Sequence, residues 1–113
     1  MSDIFVMVRS QANIALTSVA GIRFLAELRH HVFGSGVEVL ATEVLDLIHA
    51  DAGFDDLKPG NYSVVIRHER VEPPEASVEV SIDACDQVVL LTFVYLEAEQ
   101  VLLRIQSKIE QRL

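Results

Sequence analysis

A chain of 113 residues, half of them apolar and with a formal net charge of −8, is long enough to fold as one domain and too hydrophobic to be disordered. The acidic balance opposes nucleic-acid binding, which requires a basic surface, and no apolar run reaches the roughly 18 residues of a membrane span. A single cysteine allows no internal disulfide, and the first residues do not resemble a secretory signal, so we expect a single cytoplasmic domain over residues 1–113.

Two helices are predicted in the first half of the chain. Residues 3–8 favour a short strand, although a helix start fits them as well. Apolar residues then recur at spacings of three and four over 14–32 and again over 37–48, as on one face of an amphipathic helix. Between the two runs, residues 34–38 combine a glycine suited to end a helix with a serine and a glutamate that fit a capping box. The pattern predicts an antiparallel helical hairpin within residues 13–53.

The hydrophobic period changes after the Pro-Gly turn at residues 58–61. Residues 61–71 and 77–83 alternate as strands do, and the two prolines of the loop at 72–75 separate them. These segments predict an antiparallel sheet of two or three strands.

The third strand depends on residues 88–96, which are apolar on both faces. They fit a central strand, favoured by their β-branched and aromatic residues, or the start of a long helix. Residues 97–113 show helical spacing and are predicted to form a C-terminal helix. The expected fold class is therefore α+β: the helical hairpin, the antiparallel sheet, and a C-terminal helix packed over it.

Candidate metal and catalytic residues do not form a recognisable motif. His30 and His31 are adjacent, so a helix would point them about 100° apart, and the end of a helix favours a histidine for its charge alone. His68 could act as an acid or base and Cys85 as a nucleophile, but no partner spacing supports either role. We therefore expect no enzyme, no cofactor and no metal.

Charged residues provide the candidates for partner binding. Three basic residues recur every fourth position near the C-terminus, and three aspartates in the middle of the chain fail the calcium-loop spacing and are expected to form a solvated turn. The residues expected to bind a partner are Arg104, Lys108, Arg112, Asp51, Asp55 and Asp56.

These features favour a small acidic, non-catalytic protein-binding module of the inhibitor, immunity or chaperone type. Its partner would be a protein, either a basic one or another copy of the chain in a homo-oligomer, with no nucleic acid and no membrane. One alternative is a structural subunit of a phage or secretion particle, in which residues 88–96 would pair with neighbouring copies. A second alternative is a small-ligand enzyme or sensor that uses His68 or Cys85.

Overall fold

A computed structural model describes residues 1–32, 36–83 and 86–111 of the chain. These residues form a sandwich of two four-stranded β-sheets and include no helix. The strands are β1 (Ser2–Ser10), β2 (Leu25–Val32), β3 (Gly36–Val44), β4 (Asp51–Leu57), β5 (Gly60–Arg67), β6 (Glu75–Ile82), β7 (Gln87–Leu96) and β8 (Val101–Gln111).

Sheet 1 has the strand order β4-β1-β7-β8. Strands β1 and β7 run parallel, with Asp3 opposite Val88 and Ser10 opposite Tyr95, whereas β4 and β8 pair antiparallel with their neighbours. Sheet 2 has the order β3-β2-β5-β6 and is antiparallel throughout. The free edges of the sandwich are therefore β4 and β8 in sheet 1 and β3 and β6 in sheet 2.

The predicted α+β fold, with its helical hairpin and C-terminal helix, is wrong. The segment 13–53 contains β2, β3 and the start of β4, and the segment 97–113 contains β8. Of the predicted helix joint at residues 34–38, Gly34 and Ser35 lie outside the described residues, and Glu38 lies on β3. The strands expected at 61–71 and 77–83 are confirmed as β5 and β6, and residues 3–8 lie in β1.

The apolar segment 88–96 is a central strand, as its two apolar faces indicated. It lies in β7 and is hydrogen-bonded to β1 on one side and to β8 on the other. The expectation that this segment adds to the sheet of a neighbouring copy is therefore wrong, because neither side of β7 has free backbone groups.

One hydrophobic cluster fills the space between the sheets, because side chains alternate between the two faces of each strand. On β1 the inward residues Ile4, Val6 and Val8 are fully buried, and on β7 Leu91 and Phe93 are as well. Burying each such side chain stabilises the fold by about 1.5–3 kcal/mol. No helix in the part of the chain that the structure describes is long and apolar enough to cross a membrane.

The loop between β5 and β6 joins the two sheets at one end of the sandwich. The Glu72 N–H donates to the carbonyl of Gln100 at 2.8 Å, and the Leu102 N–H donates to the carbonyl of Glu72 at 2.9 Å. At the turn before β5, the Tyr62 hydroxyl donates to the Lys58 carbonyl at 2.6 Å. Both contacts hold loops against strands, so the sheets keep a fixed relation to each other.

Candidate functional site

The outer face of sheet 1 is the side of that sheet turned away from the core. The strand register places Gly53, Phe5, Leu90 and Lys108 in one row across it, in the order β4, β1, β7, β8. Phe5 points outward between two fully buried neighbours on β1, and 37% of its surface is exposed. The centre of this face is therefore apolar although it is open to water.

An acidic margin borders the apolar centre on β4. Asp51 lies opposite Met7 in the register of β1 and β4. A methyl group at Gly53 would lie 3.1 Å from the Phe5 ring and 3.8 Å from Asp55 Oδ1, so the Asp55 carboxylate is on the same face as Phe5. The carboxylates of Asp51 and Asp55 thus lie on either side of Gly53 along β4.

A basic margin borders the centre on the opposite side, along β8. Lys108 lies opposite Leu90, and Arg104 lies opposite Val94, which points outward between two core residues of β7. Lys108 Nζ is 3.1 Å from Glu110 Oε1, and both side chains are more than half exposed. The ion pair is therefore well solvated and weakly held.

The structure brings four of the six predicted partner-binding residues onto this one face: Arg104, Lys108, Asp51 and Asp55. Residues four apart lie on one side of a strand as they do on a helix, so Arg104 and Lys108 share a face although the predicted helix is wrong. Asp56 has a positive φ of 58° at the irregular end of β4, and its N–H donates to Asp3 Oδ1 at 3.0 Å. Arg112 lies outside the described residues.

A shallow hollow of about 270 Å³ opens on the same face beside β8. Met7, Leu90 and Thr92 form its base, and Gln106, Ser107 and Lys108 line its side. The hollow combines apolar surface with one cation, an arrangement that suits an apolar side chain or a small anionic molecule.

A second concave surface lies between the free edges of the two sheets, which we name the β3–β4 groove. It has a volume of about 340 Å³. The buried side chains of Leu28, Phe54 and Leu57 belong to its lining. The other lining residues are Leu40, Ala41, Glu43, Gly53 and Asp55. The sequence pattern gave no sign of this groove, because it assigned residues 37–48 to a helix.

Strand β3 borders the groove and is exposed along nearly all of its length. Val37, Val39, Leu40 and Val44 are each between 44% and 54% exposed. A run of exposed apolar side chains on a free edge strand is unusual, because the unpaired backbone groups of such a strand can pair with another chain.

The turn between β3 and β4 is held by one carboxylate. Asp46 Oδ1 accepts hydrogen bonds from the N–H groups of Ile48 at 2.8 Å, His49 at 2.5 Å and Ala50 at 3.2 Å. A hydrogen bond with Asp51, followed by these backbone bonds, holds the pKa of Asp46 well below its usual range. The same hydrogen bond is the main cause that raises the pKa of Asp51 above its usual value.

The histidines at positions 30 and 31 lie on β2, so the prediction that they end a helix is wrong. Adjacent strand residues face opposite sides of the sheet. The His30 ring stacks on Tyr62 with centroids 4.9 Å apart, and His31 Nε2 lies 3.2 Å from Ser63 Oγ. Among residues 1–32, 36–83 and 86–111, no three His, Cys, Asp or Glu side chains group closely enough to hold a metal ion.

His68 has a structural role. Its side chain is buried, with only 4% of the residue exposed, and its ring lies 4.6 Å from that of Phe24. Nδ1 accepts a hydrogen bond from the Arg70 N–H at 3.0 Å, so the neutral ring carries its proton on Nε2, which lies 2.8 Å from the Ile22 carbonyl. Both ring nitrogens are thus engaged by backbone groups. The other catalytic candidate, Cys85, lies outside the described residues.

An ion network covers the outer face of sheet 2. The Glu27 carboxylate binds Arg29 and, at 3.0 Å, Nη1 of Arg67, while Arg67 Nε donates to Glu75 at 3.2 Å. The hydrogen bond with Glu75 is the main cause that raises the pKa of Arg67. Val65 lies opposite Glu27 in the register and is fully buried. This outer face is therefore covered by its own charged side chains, whereas on the outer face of sheet 1 Val94 is buried but Phe5 stays exposed.

Comparisons with known proteins identify the fold. No protein-family model and no curated protein sequence matches the chain. The fold is similar to that of sea bream transthyretin in a crystal structure with thyroxine, with a TM-score of 0.66, 10% sequence identity, and 96% of this chain and 95% of that chain covered. It is also similar to transthyretin from Sparus aurata, with a TM-score of 0.64, 10% identity, and coverage of 96% and 97%.

A candidate cell adhesion protein from Bacteroides uniformis is similar too, with a TM-score of 0.58 and 14% identity. The match covers 97% of this chain and 49% of that longer chain. Identities this low show the fold alone, and the chain is a transthyretin-like β-sandwich.

Proposed function

We propose that this chain is a small acidic, non-catalytic protein-binding module that works as a homo-oligomer, of the inhibitor, immunity or chaperone type, in the cytoplasm. The observation that carries the proposal is the outer face of sheet 1, where an acidic margin, an open apolar centre and a basic margin follow one another. Such a face is complementary to itself, so a second copy of the chain is the partner that fits it.

The symmetry of that pairing follows from the strand register. Two copies can stack with their outer faces together, related by a two-fold axis that runs parallel to the strands. This axis places β8 of one copy over β4 of the other and leaves each residue at the same position along the strand direction. Gly53 and Lys108 lie at the two ends of the row that includes Phe5 and Leu90, so they have the same position along the strand direction. The ammonium group of one copy would therefore face Gly53 of the other copy, between the carboxylates at positions 51 and 55.

The two parts of the face have different roles in this association. Burial of the apolar centre supplies the affinity, at about 25 cal/mol per Å² of apolar surface before the cost of association is subtracted. The charged margins favour this orientation, because a two-fold axis across the strands would place the carboxylates of β4 against those of β4 in the other copy. Net repulsion between two copies of charge −8 opposes the contact and keeps its affinity moderate.

A charge-reversal experiment tests the proposal. Sedimentation velocity of the unmodified chain over a range of concentrations should show a dimer. Lys108→Glu should raise its dissociation constant at least about tenfold, since a third negative charge would face Asp51 and Asp55. Adding Asp55→Lys to Lys108→Glu should restore much of the association.

The matched control is Arg70→Glu, which makes the same charge change at an exposed position away from this face. It should leave the dissociation constant within about twofold. A chain that stays monomeric at every concentration, or an equal loss in both reversal variants, would contradict the proposal.

A second candidate is binding of a small anionic ligand in the hollow beside Lys108, which the apolar base and the single cation of that hollow support. The similar sea bream transthyretin was crystallised with thyroxine, so a small molecule is a reasonable occupant for a protein of this fold. Titration with 8-anilinonaphthalene-1-sulfonate should then give saturable fluorescence that Lys108→Glu abolishes and Arg70→Glu preserves. Fluorescence that does not saturate would count against this candidate.

The particle-subunit alternative has less support. Residues 88–96 cannot add to a neighbouring sheet, so an open assembly formed by strand addition would have to use one of the free edges β3, β4, β6 or β8. Electron microscopy of the concentrated chain would show rings or fibres in that case, and closed dimers if the main proposal is right.

A further inference from the structure

Strand β3 and the β3–β4 groove form a second surface, which meets the outer face of sheet 1 at Gly53 and Asp55. We propose that this surface binds an extended, basic segment of a partner protein, which adds to sheet 2 as a fifth strand beside β3. The proposal rests on three properties of the surface: free backbone groups, a groove for side chains, and charge.

The backbone of β3 is available along its free side. The Leu45 N–H donates to the Phe24 carbonyl at 3.0 Å, so the backbone groups of Leu45 point toward the chain that leads into β2. In an antiparallel strand, the N–H and C=O groups of successive residues point alternately toward and away from the neighbouring strand. The N–H and C=O groups of Thr42 and Val44 therefore point away from β2. An extended segment beside β3 can exchange hydrogen bonds with these residues without disturbing sheet 2.

The groove supplies a place for side chains of such a segment. Ala41 and Glu43 lie opposite Leu28 and Ala26, which belong to the core side of β2, so they face the groove rather than the outside of sheet 2. An added strand next to β3 would alternate in the same way and direct every second side chain over Leu28 and Phe54. A volume of about 340 Å³ accommodates apolar side chains of the size of valine or leucine.

Charge identifies the kind of segment. Residues 36–57 contain six acidic residues and neither lysine nor arginine. Glu43 lines the groove beside its apolar surface, and Glu38 lies on the same exposed strand. A second copy of β3 would bring these glutamates against each other, which destabilises a strand pair. A segment that alternates apolar residues with lysine or arginine satisfies both the groove and the charge.

The test uses two synthetic peptides and the full chain. The first peptide, Lys-Val-Thr-Val-Thr-Val-Lys, carries a fluorescent label, and the second has glutamate at both lysine positions. The basic peptide should bind in fluorescence anisotropy at least about tenfold more tightly than the acidic one. Its addition to the isotopically labelled chain should shift the amide resonances of Thr42 and Val44 more than those of β6.

Two variants locate the site. Glu43→Lys should weaken binding of the basic peptide at least about tenfold, whereas Glu79→Lys, the same change on the opposite edge of sheet 2, should leave it within about twofold. Ala41→Phe fills the groove and should abolish binding. A thermal unfolding curve for each variant shows that it is folded.

Three outcomes would overturn the proposal. Equal binding of the two peptides would remove the role of charge, and amide shifts confined to another edge would place the site elsewhere. Absence of binding by either peptide at millimolar concentration would mean that the glutamates on β3 only protect this edge from pairing. Each result is independent of Lys108→Glu, because Lys108 lies on β8, which does not line the groove.

Discussion

A single hydroxyl group in the core works against stability. Tyr95 is 1% exposed, its ring centroid lies 5.3 Å from that of Phe24, and its hydroxyl has no hydrogen-bond partner among the described residues. Burial raises the pKa of this hydroxyl to about 12, which shows how far it is removed from water. An unpartnered buried polar group of this kind costs about 1–3 kcal/mol.

Removal of that group should therefore stabilise the chain. Tyr95→Phe is expected to raise the free energy of unfolding in urea by about 1 kcal/mol. Tyr62→Phe is the matched control, because its hydroxyl donates to the Lys58 carbonyl, and it should lower the free energy by about 1 kcal/mol. If both variants were destabilised alike, the Tyr95 hydroxyl would have a partner in solution.

The pair of Asp46 and Asp51 gives the turn before β4 a defined pH dependence. The pKa of Asp51 is higher in the folded chain than in the unfolded chain, so protonation of Asp51 stabilises the fold. This contribution is complete at pH values below the ordinary carboxyl pKa of about 3.9, and it is lost as the pH rises through the raised pKa of Asp51. The lowered pKa of Asp46 acts in the opposite direction, since its contribution is lost only as the pH falls through the lowered value. The pair therefore stabilises the turn most near pH 4.

Asp51→Asn should change this dependence, because its amide donates a hydrogen bond to Asp46 at every pH. The variant should gain stability relative to the unmodified chain between about pH 4.5 and pH 7. Urea unfolding at the two pH values measures that difference. The same difference at both pH values would show that the hydrogen bond with Asp46 does not raise the pKa of Asp51.

Among the strands, β8 shows why helices were predicted. Leu102, Ile105 and Ile109 are spaced by three and four, as on a helix, yet they pair with the core residues of β7. A register shift beside Val94 inserts one residue into β8, which changes an even spacing into a spacing of three. A strand with a bulge thus reproduces the helical pattern, and the sequence contains no signal that separates the two.

The same effect hides β3, whose register shifts near Leu40. An exposed edge strand also lacks the alternation of buried and exposed residues that identified β5 and β6. The sequence could indicate that Arg104 and Lys108 share a face, because residues four apart lie on the same side of a helix and of a strand. It could not indicate the β3–β4 groove, since the groove exists only where the edges of two sheets meet.

The ion network on sheet 2 connects β2 with β5 through the buried carboxylate of Glu27, and Glu75 joins β6 to the same two arginines. Glu27→Gln should lower the free energy of unfolding by about 1–2 kcal/mol, because Arg29 and Arg67 lose their buried partner and keep only the half-exposed Glu75. Glu75→Gln, at a side chain that is half exposed, should cost about 0.5 kcal/mol or less. Chemical denaturation measures both, and equal effects would contradict the special position of Glu27.

For the molecule as a whole, local stability should follow the strand order. Amide hydrogens of the four interior strands, β1 and β7 in sheet 1 and β2 and β5 in sheet 2, should exchange most slowly, and those of the edges β3 and β8 fastest. Hydrogen exchange followed by NMR on a dilute sample measures this order. Protection of β8 equal to that of β7 would contradict it and would indicate that another chain covers that edge.

The parallel pairing of β1 with β7 also decides when each sheet can form. All strands of sheet 2 lie between residues 25 and 82, so that sheet can assemble from one continuous stretch. Sheet 1 requires β1 and β7, where the Gln87 N–H donates to Ser2 Oγ across 85 positions. Closing so long a loop is slow compared with forming hairpins. During synthesis β1 therefore leaves the ribosome well before β7, and one side of β1 stays unpaired until β7 follows. In the nascent chain, β1 is thus the strand that most needs protection from aggregation.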